Sequence, residues 1–458
     1  MPPPPGMRHH HQHKHLPPVR ETRVLETDLG AVLGAFALVV IGFWIRHGGI
    51  GAFTKGWVDV ATSIAQITGL LASAFGLLGL ALVGRPRSVE RRYGLDRMFI
   101  WHRILGESMA VLVGAHIAAS IVAWSADGGV FNAVRDLTGR QPYMAIATVG
   151  ALLIGVVTVS SLASIRRRMS YETWYFLHLA AYAGFALSFS HQIVMGGIFA
   201  TDSLARWFWI LAHAGVLLLL IVRRWGTTLR SVLNPLRVAE AKQVSPDAVS
   251  LRLSGRGLKN LEASPGQFFF LRPLKGRLWW QTHPFSLSAA PSTNGLRFTI
   301  KTRGDGTNAI TSLPIGTAVA VEGPYGITTP EVVGAGKVLF VAGGVGVAHT
   351  RALLEGLGPR SEPIVLFRAN TAEDLIHLDE VRELVEARGG TVRTLVGPSA
   401  KLAVKDPFSA KRLKAAVPDL KQRTAVLCGP ERLVWAARAG LLAAGVDSSR
   451  IHYERPWW

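Results

Sequence analysis

The sequence predicts a multidomain membrane protein in which a six-helix transmembrane bundle precedes an antiparallel β-barrel and an α/β domain. Three features of the 458-residue chain predict this fold class. Long apolar segments fill its first half, short β-rich runs begin near residue 235, and strands alternating with helices begin near residue 336. A chain of this length is expected to form several units. We expect them at residues 1–28, 29–230, 235–330 and 331–458.

Composition favours a membrane protein with a soluble part. Hydrophobic residues make up 49% of the chain and charged residues only 17%. A net charge of +20 is typical of nucleic-acid-binding proteins. Here the basic residues collect in short loops beside the apolar segments, so we expect no nucleic-acid partner. Cys428 is the single cysteine, which excludes an internal disulfide and four-cysteine iron–sulfur or zinc sites.

The first 28 residues are rich in proline and histidine and lack the pattern of a cleaved signal peptide. We expect this segment to be a disordered cytoplasmic tail. The alternative is a metal-binding segment formed by His9, His10, His11, His13 and His15.

Six segments are long and apolar enough to cross a lipid bilayer, which takes about 20 residues. They lie near residues 29–46, 57–83, 98–124, 143–163, 172–194 and 204–222. Arginines cluster after the second, fourth and sixth segments, whereas the other loops are nearly neutral. Because basic loops stay on the cytoplasmic side, we expect an integral protein of the plasma (cytoplasmic) membrane with both termini in the cytoplasm.

Four histidines inside these segments are the main indication of function. His102 and His116 lie 14 residues apart in the third segment, and His178 and His191 lie 13 apart in the fifth. An ionisable ring is costly in a membrane and usually functional there. Both segments run outwards from the cytoplasm, so His102 and His178 form an inner pair and His116 and His191 an outer pair. Such pairs predict two haems, each bound by two imidazoles.

Helix geometry suits the first spacing better than the second. At 100° per residue, His116 lies about 40° around the helix from His102, whereas His191 lies about 140° from His178. Either the fifth helix is locally tightened, or its histidines approach the haems from different sides. The alternative to haem binding is that the rings only pack and hydrogen-bond between helices. That structural role is expected for His213, which has no partner at its depth.

From about residue 235, short β-rich runs alternate with glycine and proline turns and predict a small antiparallel barrel. The runs are Val249–Leu253, Phe268–Arg272, Leu296–Thr302 and Ala318–Glu322. Three motifs lie among them: HPFSLS at 283–288, KTRGDGT at 301–307 and GPYG at 323–326. Each motif alone is also compatible with ordinary turn chemistry.

A buried-type strand at Val338–Ala342 runs into the glycine-rich turn 343–346 and then into a predicted helix. Such a turn lets backbone N–H groups approach a diphosphate, although a tight turn without a ligand has the same pattern. Further strands at Ile364–Arg368 and Thr424–Leu427 predict a mainly parallel sheet, with a ligand at the carboxyl ends of its strands.

Over roughly residues 29–458 the chain resembles the ferric reductase and NADPH oxidase superfamily. In that superfamily a six-helix haem domain is joined to a ferredoxin–NADP reductase-type flavoprotein. The two histidine pairs carry the resemblance, together with His-Pro-Phe-Ser, Gly-Pro-Tyr-Gly, Gly-Gly-Val-Gly and Cys-Gly-Pro in this order. The resemblance implies an FAD-binding barrel at 235–330, an NAD(P)-binding domain at 331–458, and FAD, two b-type haems and NADPH (or NADH) as cofactors.

The resemblance also assigns roles to individual residues. The metal ligands would be His102, His116, His178 and His191. Contacts to FAD would come from His283, Pro284, Phe285, Ser286, Ser288, Lys301 and Thr307, with Lys301 at the diphosphate. Contacts to the nicotinamide nucleotide would come from Gly343, Gly344, Gly346, Cys428 and Gly429. Trp458 or Trp457 would stack on the flavin, the alternative being a frayed tail.

Three positions bear on the substrates. The family's Thr-Pro after the glycine turn is replaced by Ala348-His349-Thr350. Ser120 stands where some NADPH oxidases carry a further histidine, which weakens the oxidase interpretation. Arg368 could pair with a 2′-phosphate and select NADPH, or simply be solvated.

The resemblance implies a transmembrane oxidoreductase in which no protein residue need act as an acid or nucleophile. FAD belongs between nicotinamide and haem because it accepts a hydride and releases electrons singly. The implied route runs from NAD(P)H through FAD and the inner and outer haems to an external acceptor. Ferric iron is the favoured acceptor; the alternatives are oxygen, reduced to superoxide, and a partner membrane or periplasmic protein.

Overall fold

The computed structural model describes residues 26–398 and 406–454. The first half is helical, as its apolar composition predicts. Its helices are α1 (Glu26–Arg46), α2 (Trp57–Val83), α3 (Arg87–Tyr93), α4 (Leu95–Trp124), α5 (Gly129–Arg135), α6 (Met144–Ser161), α7 (Ala163–Arg166), α8 (Tyr171–Leu187), α9 (Phe189–Met195), α10 (Gly197–Thr201), α11 (Ser203–Leu219) and α12 (Gly226–Leu233).

Within the described residues, four helical stretches are long and apolar enough to cross a membrane, fewer than the six expected. They are Trp57–Val83, Leu95–Asp127, Met144–Ser161 and Ser203–Leu233. The apolar part of α1, Gly30–Arg46, is shorter. The segment expected as the fifth span is divided into α8 and α9 at Ser188.

Two contacts accompany the division at Ser188, one within the helix and one with α6. Its hydroxyl donates to the carbonyl oxygen of Gly184 (2.9 Å), a bond to the preceding turn that tends to bend helices. The same turn packs tightly on α6, because a β-carbon added at Gly150 would lie 2.6 Å from Oγ of Ser188 and 2.7 Å from the carbonyl oxygen of Gly184. Small residues permit this close helix contact. His191 therefore lies on α9 rather than on a regular continuation of α8.

The next part is a six-stranded antiparallel sheet with the strand order β4-β3-β6-β1-β2-β5. Its strands are β1 (Leu236–Ser245), β2 (Ala248–Ser254), β3 (Phe268–Pro273), β4 (His283–Ser286), β5 (Leu296–Lys301) and β6 (Ala318–Tyr325). An isolated bridge between Leu287 and Phe298 brings the chain after β4 to β5. Alternating apolar side chains, such as Leu251, Leu253 and Phe269, fill the core on one face.

The last part is a five-stranded parallel sheet with the order β11-β10-β7-β8-β9. Its strands are β7 (Val338–Gly343), β8 (Ile364–Ala369), β9 (Thr391–Val396), β10 (Thr424–Cys428) and β11 (Ile451–Tyr453). The remaining helices are α13 (Asp305–Thr311), α14 (Pro330–Val333), α15 (Val347–Gly356), α16 (Leu378–Glu386), α17 (Ala410–Ala416) and α18 (Glu431–Ala443). Strands alternating with helices predict a parallel sheet, and the observed order places the carboxyl ends of β7 and β10 side by side.

Candidate functional site

The four membrane histidines face each other in two pairs. The ring centroids of His102 and His178 lie 6.1 Å apart, and those of His116 and His191 lie 6.3 Å apart. An imidazole nitrogen binds a metal ion at about 2.0 Å, so a metal ion between two facing rings separates their centroids by about 6 Å. Each pair therefore has the spacing that bis-histidine ligation requires.

Both histidines of α4 are oriented by backbone carbonyl groups of α2. Nδ1 of His102 donates to the carbonyl oxygen of Gly79 (3.1 Å), and Nδ1 of His116 donates to that of Ala65 (2.7 Å). Metal-bound histidines usually donate their other ring N–H in this way, which fixes the tautomer. The arrangement leaves Nε2 of each ring to act as the metal ligand.

The histidines on α8 and α9 are held differently. Nδ1 of His178 lies 3.5 Å from Oγ of Ser161, and Trp174 stacks on the His178 ring with centroids 4.9 Å apart. Nδ1 of His191 is buried and has no hydrogen-bond partner among the described residues. His191 is thus the least firmly oriented of the four rings.

Glycines of α2 provide the space for the rings of α4. A β-carbon added at Gly69 would lie 2.7 Å from Nδ1 of His116, and one added at Gly79 would lie 3.5 Å from Nδ1 of His102. Gly76 lies between them and faces both Met109 and Phe185. Motif-based reasoning did not identify these glycines, although Gly69 and Gly76 lie seven residues apart, as His102, Met109 and His116 do.

His213 lies in an aromatic setting formed by residues of α8, α9 and α11. Its ring packs on Phe185, Phe189 and Trp209, with centroids 5.5, 4.7 and 5.1 Å away. Nδ1 of His213 donates to the carbonyl oxygen of Trp209 (2.8 Å) in the preceding turn. These contacts are those of a packing residue, which is the role predicted for His213.

The HPFSLS and KTRGDGT motifs lie together in the six-stranded sheet. His283 begins β4, and a β-carbon added at Gly306 would lie 2.7 Å from its ring. Oγ1 of Thr307 accepts from the backbone N–H groups of Arg303 (2.9 Å) and Gly304 (3.1 Å) at the start of α13. Pro284, Phe285 and Ser286 continue along β4, which pairs with β3.

Lys301 is engaged differently from the predicted role at a diphosphate. Its ammonium group lies 2.7 Å from the carboxylate of Asp374 and 2.8 Å from that of Asp247. Burial lowers the pKa of Lys301, but the two carboxylates outweigh it and raise the pKa overall. Because Asp374 follows β8, this ion pair ties the six-stranded sheet to the parallel sheet.

Ser288 also lies at the contact between the two sheets. It is buried, and its carbonyl oxygen accepts from Arg297 (2.8 Å) and Arg351 (2.9 Å). Both arginines reach the carboxylate of Glu380 on α16. The contact from Arg351 on α15 therefore joins the two domains, whereas the contact from Arg297 on β5 lies within the domain of Ser288.

The glycine-rich turn after β7 touches the loop after β10. A β-carbon added at Gly346 would lie 2.5 Å from the carbonyl oxygen of Cys428, and one added at Gly429 would lie 3.0 Å from the backbone nitrogen of Gly343. Gly344 has a φ of +53°, a conformation that favours glycine. These loops form the crevice at the carboxyl ends of the strands where nucleotides bind in such sheets. Burial raises the pKa of the Cys428 thiol to about 12, so it remains protonated at neutral pH.

Arg368 does not extend from the sheet edge. Its guanidinium group donates to the carbonyl oxygens of Leu395 (3.3 Å), Gly397 and Ala369. Bonds to the backbone of β9 and its following loop hold the side chain in place, so the geometry does not favour the predicted pairing with a 2′-phosphate. Trp457 and Trp458, and the histidine-rich tail, lie outside the described residues.

A buried ion-pair cluster joins the membrane helices to the six-stranded sheet. The guanidinium group of Arg85, just after α2, contacts the carboxylate of Glu322 and lies 3.2 Å from the hydroxyl of Tyr325. Arg224 and Thr228 at the end of the helical half lie 3.5 and 3.3 Å from the same carboxylate. The basic loop residues that indicated topology therefore also bind the next domain.

Two further carboxyl groups meet at the GPYG motif. The backbone N–H of Gly326 donates to the Glu90 carboxyl (3.0 Å), and a β-carbon added at Gly326 would lie 2.7 Å from Oε1 of Glu454. Burial raises the pKa of Glu90 to about 7 and that of Glu454 to about 8. Glu90 of α3 and Glu454, just after β11, thus meet at the backbone of Gly326, just after β6. No sequence motif indicated this contact.

Comparisons with known proteins agree with this architecture. Residues 68–189 match the family described as ferric reductase like transmembrane component, and residues 233–329 match an FAD-binding domain. The chain is similar to ferric reductases in its helical part and to FAD-binding domains in the part that follows. It is therefore an integral membrane protein whose helical part precedes an FAD-binding domain.

Individual relatives of this ferric reductase-like chain match parts of it. The propane 2-monooxygenase reductase component of Rhodococcus jostii is 30% identical over 235 residues, 48% of this chain and 62% of that protein. Ferric/cupric reductase transmembrane component 2 of Saccharomyces cerevisiae is 25% identical over 318 residues, 66% of this chain and 41% of that protein. The chain thus spans less than two thirds of the length of either curated relative. Among solved structures, the ferredoxin reductase in carbazole 1,9a-dioxygenase is 20% identical, covering 48% of this chain and 68% of its own with a TM-score of 0.41.

Proposed function

We propose that this protein is a transmembrane reductase that passes electrons from cytoplasmic NAD(P)H through FAD and two b-type haems to an acceptor outside, with ferric iron as the favoured acceptor. The observation that supports it best is the pair of facing imidazoles at each of two positions, 6.1 and 6.3 Å apart. Three of the four histidines lie within residues 68–189, which match the ferric reductase like transmembrane component, and His191 lies two residues beyond. An FAD-binding domain follows at residues 233–329.

The topology of the proposal has six membrane crossings with both termini in the cytoplasm. Four helices are by themselves long and apolar enough to cross a membrane. In the proposal, α1 supplies a fifth crossing and the α8–α9 segment a sixth. The arginines at the ends of α2 and α11 support a cytoplasmic position for the sheets. In this orientation His102 and His178 form the inner site and His116 and His191 the outer one.

The protein residues act by binding and positioning. Bound FAD would supply the conversion of one hydride into two single electrons, and bound haem the one-electron steps across the membrane. Nε2 of each histidine would hold a haem iron, while the carbonyl groups of Gly79 and Ala65 orient the α4 rings. The β4 motif from His283 to Ser286, in a six-stranded barrel, would contact the flavin beside the α13 turn.

The nucleotide would bind in the crevice formed by the turn 343–346 and by Cys428 and Gly429. Close contact between these two loops supports this position, because their glycines let the two backbones meet at the carboxyl ends of β7 and β10, where nucleotides bind in such sheets. The protonated Cys428 thiol would pack beside the nicotinamide rather than act as a nucleophile. Trp458 remains our proposal for the ring that covers the flavin.

Haem binding is tested with purified protein in nanodiscs. A reduced-minus-oxidised spectrum should show low-spin b-type haem, at two haems per chain. His116→Leu should reduce the content to one and leave flavin reduction by NAD(P)H intact, whereas the control His213→Leu should keep both haems. Protein that carries no haem at all would refute the proposal.

The acceptor is tested separately with haem-loaded protein. Ferric-chelate reduction should proceed under argon at a rate that exceeds oxygen uptake and superoxide formation in air. If superoxide formation accounts for all of the NAD(P)H consumed, the protein is an oxidase. If turnover needs an added membrane or periplasmic fraction, it serves a partner protein.

A further inference from the structure

The loop before β4 is in contact with the membrane helix that carries His178. The Trp280 ring stacks on Tyr175 of α8, with centroids 5.9 Å apart, and lies 5.2 Å from Phe176. The neighbouring Trp279 is 63% exposed. Of two adjacent tryptophans, Trp280 is therefore the one that packs between aromatic rings of α8.

The next residue extends this contact to the HPFSLS motif. Nε2 of Gln281 donates to the Glu172 carboxylate of α8 (3.4 Å), and its Oε1 accepts from Nε2 of His283 (3.2 Å). Gln281 thus touches the membrane helix with one end of its amide group and the first residue of β4 with the other. A shift of this loop would move His283 relative to α8.

Aromatic rings continue from the loop to the proposed inner haem ligand. Tyr175 stacks on Tyr171 (6.0 Å), Tyr171 lies 6.0 Å from Trp174, and Trp174 stacks on His178 (4.9 Å). Together with Trp280, these residues form a continuous series of ring contacts. Any displacement of Trp280 is therefore transmitted to the surroundings of His178 by direct packing.

We propose that Trp280 and Gln281 are positioning residues that hold the flavin-binding strand against α8 and so set the rate of electron transfer from the flavin to the inner haem. This inference rests on the proposed function. In the step, the flavin loses one electron and one ferric haem iron becomes ferrous, with no bond formed or broken. The protein's contribution to such a step is the relative position of donor and acceptor.

The test follows the two reduction steps separately. Full-length protein loaded with FAD and haem in nanodiscs is mixed anaerobically with NADH or NADPH in a stopped-flow spectrometer. Trp280→Ala should leave flavin reduction unchanged and slow haem reduction by about tenfold to a hundredfold, as expected for misplaced reacting groups. Trp280→Phe should recover most of the rate, and the matched control Trp279→Ala should behave as wild type.

A second measurement reports on docking without any cofactor chemistry. In hydrogen–deuterium exchange of the full-length chain, Trp280→Ala should increase exchange in residues 171–176, and Trp279→Ala should not. Haem reduction as fast in Trp280→Ala as in wild type would overturn the inference while the proposed function stands. If wild-type haem is never reduced, the proposed function fails and the inference fails with it, and exchange still shows whether Trp280 docks on α8.

Discussion

The two halves of the molecule hold their candidate groups by different means. In the membrane half, the rings of α4 are fixed by carbonyl groups and glycines of α2, all of them uncharged. In the cytoplasmic half, charged side chains reach between domains, as Lys301 reaches Asp374. Close packing is sensitive to added volume, and buried charge is sensitive to the loss of its partner. Different substitutions should therefore damage each half.

The largest effect is expected from removing a charge at the junction. The guanidinium group of Arg85 contacts the buried Glu322 carboxylate, and breaking such a pair typically costs about 3–5 kcal/mol. Arg224, 3.5 Å from the same carboxylate, would remain as its weaker partner. Arg85→Met should therefore release the six-stranded sheet from the membrane helices. Hydrogen–deuterium exchange of β6 measures the release.

Two controls make the Arg85 experiment specific. Arg168→Met changes an exposed arginine of another basic loop, before α8, and should leave exchange in β6 unchanged. In Arg85→Met the buried Glu322 carboxylate keeps Arg224 alone, at 3.5 Å, as a cationic partner. Adding Glu322→Gln removes this incompletely neutralised charge and should recover part of the protection. Equal exchange in wild type and Arg85→Met would mean that charge does not hold this junction.

The membrane half should respond to one added methyl group. A β-carbon at Gly69 would lie 2.7 Å from Nδ1 of His116 and displace the ring that donates to Ala65, and overpacking of this kind costs about 1–3 kcal/mol. Gly69→Ala should reduce haem content from two to one per chain, measured as pyridine haemochrome. Gly114→Ala, whose added β-carbon has no neighbour within 4 Å, should keep both haems. If Gly114→Ala loses a haem and Gly69→Ala keeps both, the proposed packing role of Gly69 is contradicted.

The pairing of the histidine rings could be predicted because, in a bilayer, it depends mainly on the depth of each residue and the direction of each helix. Helix rise sets the depth of His102 and His116, and loop charge sets the direction of each span. The structure brings the two predicted pairs together, whereas haem ligation itself stays a prediction. The break at Ser188 could not be predicted, since it depends on the close approach of Gly150 to Gly184 on another helix.

In the cytoplasmic half, motifs predicted the strands better than the contacts of single side chains. Lys301 was assigned to a diphosphate, but it lies against Asp374, 73 residues further along the chain. For Arg368 the sequence left a 2′-phosphate contact and simple solvation open, and the structure shows donation to the backbone of Leu395 and Gly397. Long charged side chains take the partners that the tertiary fold supplies, and local sequence does not contain that information.

The junction between the membrane helices and the six-stranded sheet should also depend on pH. Burial raises the pKa of Glu90 to about 7 and that of Glu454 to about 8, from an ordinary value of 4.5. A carboxyl group with a raised pKa contributes stability that is complete below pH 4.5 and is lost as the pH rises through the raised value. The docking of the six-stranded sheet on α3 should therefore weaken as the pH rises from about 5 to 8, and it should change little above pH 8.

The pH dependence is measured as exchange protection of Gly326–Thr328 in full-length protein. Glu454→Gln should flatten the profile, because the amide does not titrate, and Glu331→Gln at an exposed site should not. Arg85, Arg87, Arg91 and Asp96 also act on this pair and set the midpoint. An unchanged slope in Glu454→Gln would assign the pH dependence to other groups.

The smallest effect is expected at Ser188, where the membrane half departs from regular helices. Its hydroxyl donates to the carbonyl oxygen of Gly184 (2.9 Å), and losing such a bond costs about 1 kcal/mol. Ser188→Ala should loosen the turn before α9 and shift the electron paramagnetic resonance signal of the outer haem without loss of haem. Ser160→Ala removes a comparable bond, to Val157 in α6, and should leave both haem signals unchanged. A shift confined to the inner haem signal would show that the break positions His178 rather than His191.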